Sequence, residues 1–327
     1  MKKEITALAV INNTAKAYKE AIVLLSANEL NIFAVLCEKN YSVLELSKKL
    51  KLNKRGLIVL LDTLVYMGFL IKQSDNYFCV KKFKPYLSPN GDYYIGDSLK
   101  HDLTILKNWV QLPEVIKTGL PAKRKKRTEK EQQDFILAMA NGTELNAADF
   151  FNHLDLNDCK TFFDIGGGPG TNSIFAVHKY PDLKAYNFDL PETIKIARKY
   201  LKPLLYNDRV ELIEGDYFKD EFGKDYDAML LSNIIHSHSE TDILKLFIKA
   251  YKSCSKTGKL IVKDFFINDS RVAPKRAVLF AVNMLVNTKL GNTYSVKQIN
   301  VLLKKAGFKR TKYKFVNDNV EFIEAYK

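Results

Sequence analysis

One stretch limits what this chain can become. The apolar run Thr161-Phe-Phe-Asp-Ile165 gives way to Gly166-Gly-Gly-Pro-Gly170, and a helical pattern begins at Asn172. A buried strand that turns into a helix through four glycines in five residues reads as one edge of an open α/β sheet. Glycine is needed where backbone turns tightly or lies against a ligand. The first turn of the following helix presents bare N–H groups, which suit an anionic or polar ligand.

The rhythm after this loop is alternating. Strands are predicted at 161–165, 184–189, 210–213, 228–231 and 260–266, with helices at 172–179, 192–200 and 240–253. That is the pattern of a doubly wound parallel α/β sheet. Ser295 and Gln298 form a capping box for a helix that runs to Ala306 and stops at Gly307. Two strands about Asn317-Asp-Asn319 close the sequence. A terminal antiparallel hairpin is not how a nicotinamide-binding sheet ends; it is similar to the sheet of a class I methyltransferase.

Residues 1–90 read differently, as a mainly helical domain. Apolar periodicity marks helices near 14–25, 28–37 and 54–67, and Ser42 with Glu45 caps another. Two short strands about Ser74-Asp-Asn76 complete a winged-helix pattern, for which DNA binding is the familiar use. The helix that would enter a groove contains Gly56-Leu-Ile-Val-Leu-Leu-Asp-Thr-Leu-Val65, apolar around most of its circumference. It offers few polar groups to base edges and is expected to be buried on more than one side. A scaffold or dimerisation role follows. Residues 91–158 are expected to be a helical connector, and 159–327 the catalytic domain.

The net charge of +14 raises nucleic acid as a partner, yet 37 acidic residues are interspersed with the lysines. The one dense run, Lys123-Arg-Lys-Lys-Arg127, sits in a polar stretch and reads as solvated surface. Nucleic acid is therefore not an expected partner. No eighteen-residue apolar run is present, and the first residues lack the apolar core of a signal peptide. Cys37, Cys79, Cys159 and Cys254 are scattered without metal-ligand spacing. Reduced thiols, no bound metal and a cytoplasmic location are the expectation.

Ligands of such sheets bind beyond the carboxyl ends of the strands. Asp189 stands there after the second strand, nineteen positions past Gly170, where a carboxylate accepts bonds from ribose hydroxyls. Gly215-Asp216-Tyr217 follows the third, an acid beside an aromatic that suits an adenine. Ser232-Asn-Ile-Ile-His236 follows the fourth. His236 is the candidate general base, because imidazole exchanges a proton near neutral pH. Asp264, near the end of the fifth strand, could orient that imidazole or be a plain strand-end acid. His238 is read as a capping or solvated histidine.

Glu29-Leu-Asn-Ile-Phe33, Arg55-Gly56-Leu57, Asp164-Ile-Gly-Gly-Gly-Pro-Gly170, Phe188-Asp-Leu-Pro191, Gly215-Asp-Tyr-Phe218 and Ile235-His236 occur in an order that resembles the plant-type small-molecule O-methyltransferases and their bacterial relatives acting on carotenoids, polyketides and hydroxyindoles. The resemblance covers nearly the whole chain. It implies S-adenosyl-L-methionine as cofactor and an intertwined homodimer through the winged-helix part. By the same resemblance Gly166, Gly167 and Gly168 cradle the methionine end. Asp189 holds the ribose, Asp216 and Tyr217 bracket the adenine, and Leu190 and Ser232 adjoin the cofactor. His236 deprotonates an acceptor hydroxyl, supported by Asp264 where the family often has glutamate. Ser237-His238 replaces the family's Asp-Trp, Ser232 a plant lysine, and Thr293 a second supporting glutamate.

The expected function is methyl transfer to a hydroxyl of a small, largely apolar, aromatic or polyene metabolite. The expected acceptor pocket includes Met139, Phe280, Asn283 and Met284. The alternatives are a winged-helix DNA-binding regulator with a cofactor sensor, and a C- or RNA-methyltransferase; an Asn-Pro-Pro-Tyr-type motif for base methylation is missing after the fourth strand.

Overall fold

A computed structural model of the chain describes residues 6–123, 128–201 and 208–327. Residues 124–127 of the basic run lie outside the described residues. Contacts divide the chain into two units, Met1–Leu106 and Lys107–Lys327.

The first unit contains helices α1 (Ala7–Lys16), α2 (Tyr18–Glu29) and α3 (Ile32–Leu36). Then come β1 (Tyr41–Ser42), α4 (Val43–Leu50), α5 (Lys54–Tyr66), β2 (Leu70–Gln73), β3 (Asn76–Cys79) and α6 (Lys84–Leu87). Helix α7 (Gly96–Trp109) runs out of it into the second unit. The expected capping box starts α4: Ser42 Oγ accepts from the Glu45 amide, and Glu45 accepts from the Ser42 amide. The expected wing is β2 and β3 paired antiparallel, with β1 added on the far side of β3. Phe33, Leu36, Leu46, Leu61 and Leu64 form the core between helices and wing. One expectation needs correction. Within the single chain α5 buries one stripe, Leu57, Leu61 and Leu64, while Val59 and Tyr66 stand exposed. The apolar circumference exceeds what this unit can cover by itself.

In the second unit α8 (Leu112–Thr118) and α9 (Glu129–Asn152) precede the sheet. The sheet and its helices follow as β4 (Thr161–Ile165), α10 (Thr171–Lys179), β5 (Lys184–Asp189), α11 (Pro191–Leu201), β6 (Val210–Glu214), β7 (Tyr226–Ser232), α12 (Glu240–Ser253), β8 (Cys254–Lys263), α13 (Lys275–Asn287), α14 (Val296–Ala306), β9 (Arg310–Asn317) and β10 (Val320–Tyr326). The strand order is β6-β5-β4-β7-β8-β10-β9, all running the same way except β10, which pairs antiparallel with both β8 and β9. Successive residues of each strand face opposite layers. Phe163, Met229, Leu231, Val262 and Ile323 fill one core; Phe162, Leu230, Ile261 and Phe322 fill the other. Strand β8 begins at Cys254 and ends at Lys263, earlier than the 260–266 expected. Asp264 therefore lies just past the strand, at the sheet's ligand edge.

Candidate active site

The glycine loop is shaped by what lies beneath it. Gly166, Gly168 and Gly170 have φ of 66°, 60° and 85°, which side chains on L-residues disfavour. A Cβ on Gly167 would fall 2.0 Å from Asn187 Oδ1 and 2.7 Å from Asp164 Oδ2. A Cβ on Gly168 would meet nothing within 4 Å, so the loop is closed below and open above. Asp189 pins it from β5: Oδ2 accepts from the Gly168 amide at 2.8 Å, and Oδ1 from the Leu190 amide at 2.7 Å. Burial still pushes the Asp189 carboxyl above its ordinary range. Leu190 itself is exposed at the rim. Beneath the loop Asp164 is fully buried and pushed up to about 7, and its Oδ1 has no hydrogen-bond partner among the described residues. An open glycine cradle, a pinned carboxylate and an unsatisfied acid below it fit a ligand carrying a ribose and an amino group.

Asp216 and Tyr217 follow β6. Asp216 Oδ1 accepts from the Phe218 amide at 2.9 Å, which holds its carboxyl below the usual range. The Tyr217 ring lies beside the first glycine, 3.5 Å from where a Gly166 Cβ would be. Its hydroxyl meets His238 Nε2 at 2.8 Å, and burial pushes the phenol up to about 12. His238 is packed against Tyr217 and Phe218, with burial pushing its imidazole down. It is more enclosed than the capping or solvated side chain expected from sequence.

His236 hangs over the carboxyl end of β7. Asn233, at φ 58°, breaks the strand just after Ser232, and its amide bonds back to the Lys263 carbonyl at 2.8 Å. Asparagine tolerates this left-handed conformation better than most residues. A single helical turn, Ile235–Ser237, then carries the imidazole. Its Nδ1 lies 2.7 Å from Asp264 Oδ1, with the histidine side chain 12% exposed and the aspartate 2%. An ionised carboxylate can only accept, so Nδ1 carries a proton, and in the neutral imidazole Nε2 then keeps the lone pair. Asp264 also accepts from the Phe265 amide at 2.8 Å, which fixes the carboxylate. The Asn292 amide donates to the His236 carbonyl at 2.8 Å, tying the turn to the segment after α13. Thr293 is fully buried nearby in sequence, its hydroxyl without a hydrogen-bond partner among the described residues.

The four expected pocket residues separate. Phe280, on α13, meets the His236 ring edge to face at 4.8 Å and Phe265 at 4.2 Å. Asn283 accepts from Trp109 Nε1 and from Asn287 Nδ2, both at 2.9 Å, so its amide oxygen is engaged. Met284 is buried and Met139, on α9, is partly exposed. Two contributors were not foreseen. Phe265 completes the aromatic flank of His236, and Asn187 supports the loop by donating to the Gly168 carbonyl. The second had a signal, since a polar residue inside Tyr186-Asn-Phe188 interrupts an apolar strand. A groove of about 910 Å³ between α14 and β9, lined in part by Phe266, Val301, Tyr313 and Phe315, contains neither the glycines nor His236 and is not this site.

The sheet, its reversed hairpin and the glycine edge define a class I methyltransferase. The sequence profile of the O-methyltransferase domain matches residues 105–309. The chain belongs to this family of S-adenosylmethionine-dependent O-methyltransferases. It is 25% identical over 328 aligned residues to acetylserotonin O-methyltransferase of Macaca mulatta, covering 93% of each chain. It is 24% identical to the 3-hydroxy-5-methyl-1-naphthoate 3-O-methyltransferase of Streptomyces sahachiroi, covering 87% of this chain and 84% of that one. Human N-acetylserotonin methyltransferase, solved with S-adenosylmethionine, superposes with a TM-score of 0.91 at 23% identity, over 100% of this chain and 99% of that one. Among the described residues no helix is long and apolar enough to cross a membrane.

Proposed function

We propose that the chain methylates a hydroxyl on a small, largely apolar aromatic or polyene metabolite, with His236 as general base. The observation that carries this reading is the 2.7 Å His236–Asp264 pair beyond the sheet's carboxyl ends, flanked by Phe280 and Phe265. The names of the relatives point the same way, since acetylserotonin and a hydroxynaphthoate are aromatic. S-adenosylmethionine, when bound, supplies a methyl group on a sulfonium that leaves as a neutral thioether. The rest is the work of side chains. Gly166, Gly167, Gly168 and Asp189 would hold the donor; Leu190, Asp216, Tyr217 and Ser232 would border it. The aromatic flank orients the acceptor ring and keeps water from the imidazole. Nε2 is placed to take the proton of the acceptor hydroxyl, and Asp264 holds Nδ1–H. Positioning is the larger contribution, with the base adding about 10²–10⁴-fold.

The test is transfer of radiolabelled methyl to a panel of phenols and polyene alcohols, alongside calorimetry with S-adenosylhomocysteine. Tight S-adenosylhomocysteine binding with methylation of at least one phenol or polyene alcohol is the expected result. Binding with methyl found on carbon alone would overturn the choice of acceptor atom.

Residues 1–90 are assigned to homodimerisation, 91–158 to a connecting role and 159–327 to catalysis. Support for the dimer is the exposed apolar set Leu8, Val10, Ile11, Val59 and Tyr66 in the first unit. A cytoplasmic location is supported by four free cysteines.

A further inference from the structure

Lys263, the last residue of β8, is used by none of the chemistry above. It is 6% exposed, and its ammonium lies 5.5 Å over the Phe150 ring. Among the described residues that ammonium makes no hydrogen bond or ion pair. Burial pushes it down to about 8 although Asp264 and Asp164 pull it up; Arg276 works in the same direction as burial. An enclosed ammonium without a partner weakens the fold. Its neighbours along β8 are apolar, so packing gives no reason for a lysine here.

Register says where it faces. Lys263 pairs with Ser232, Asp164 pairs with Leu230, and Leu230 and Ser232 lie two apart on β7. Asp164, Ser232 and Lys263 therefore share one face, at the carboxyl ends of three adjacent strands. β4 and β8 are two strand spacings apart, about 10 Å, and the four-carbon lysine stem can close much of that gap. At one end of this row stands a buried carboxyl with a free oxygen beneath the glycine loop; at the other stands an unpaired cation.

We propose that Lys263 binds the carboxylate at the amino-acid end of S-adenosylmethionine. The donor carries three charges at neutral pH, a sulfonium, an ammonium and a carboxylate, and the last alone attracts Lys263. The assignment rests on the family's cofactor and is independent of the role of His236.

Lys263→Met in the full-length protein tests it, because methionine fits an apolar site without a charge. Two probes are used in calorimetry: S-adenosylhomocysteine, and 5′-methylthioadenosine, which keeps the nucleoside and thioether but has no amino-acid end. The expected result is at least a tenfold loss of S-adenosylhomocysteine affinity, unchanged methylthioadenosine affinity, and a raised melting temperature without ligand. Unchanged S-adenosylhomocysteine affinity overturns the proposal. So does an equal loss for both probes with a lowered melting temperature, which makes Lys263 a packing residue.

Discussion

Replacing Asp264 by asparagine keeps the shape of the site and changes one bond. In the native site His236 Nδ1 donates across 2.7 Å to a carboxylate that is 2% exposed. A buried hydrogen bond to a charged partner contributes about 1.5–3 kcal/mol. At about 1.4 kcal/mol per decade, its loss should slow turnover by roughly 10–150-fold. The amide adds a tautomeric effect. An asparagine N–H turned toward Nδ1 would move the imidazole proton to Nε2, where it blocks proton uptake. In that orientation the amide nitrogen would also take the place of the oxygen that accepts from the Phe265 amide, so an unchanged melting temperature is the control that the loop holds. His236→Ala should cost about 10²–10⁴. The informative variant is the double one. If Asp264 acts through His236, the double variant should be no slower than His236→Ala, because two residues working as a unit are not additive. Steady-state kcat of the four proteins, with S-adenosylhomocysteine affinity constant to within about twofold, completes the cycle. Multiplying losses in the double variant would refute the coupling, and an unchanged Asp264→Asn would remove the aspartate from catalysis.

Three further outcomes follow from the geometry. Gly167→Ala would force a methyl to 2.0 Å from Asn187 Oδ1, so S-adenosylhomocysteine binding should be lost in calorimetry and stability lowered by about 1–3 kcal/mol on chemical denaturation. Asp164 is pushed up to about 7 by burial, so its ionisation opposes folding. The sign runs opposite to a paired acid: its contribution is most favourable below the ordinary carboxylate range and is lost as pH rises toward 7. Asp164→Asn should therefore gain melting temperature over the native protein progressively between pH 4 and 7 and hold that gain above; a pH-independent difference would contradict it. Val59→Asp should convert a dimer into a monomer in sedimentation if the exposed face of α5 is covered by a second copy, and a native protein already monomeric would end that assignment.

The sheet was legible because its signals are local. Each strand is a short apolar run, the loop is dense in glycine, and Ser42, Ser239 and Ser295 cap their helices with their own side chains. The start of β8 was not legible. Cys254-Ser-Lys-Thr-Gly258 has no alternation, and it is strand because Tyr226 on β7 pairs with it. Helix α13 was legible as an apolar stretch, but which of its side chains meets His236 was not: Phe280 does, whereas Asn283 is drawn toward Trp109, far away in sequence. Asn187 and Lys263 carry polar groups into apolar strands, and such residues declare a purpose only when register shows what they share a face with.

The closing hairpin has a consequence for how the protein is made. β10 lies between β8 and β9, yet β9 precedes it in the chain. A ribosome releases β9 before its neighbour exists, and the outer edge of β8 waits beside it unpaired. Val320, Phe322, Ile323 and Ala325, which complete the cores on the two faces, arrive after all the other strand residues that do so. During synthesis the sheet is held open until its interior strand slides in, and an unpaired edge of that kind is where a nascent chain most invites a chaperone or a wrong partner.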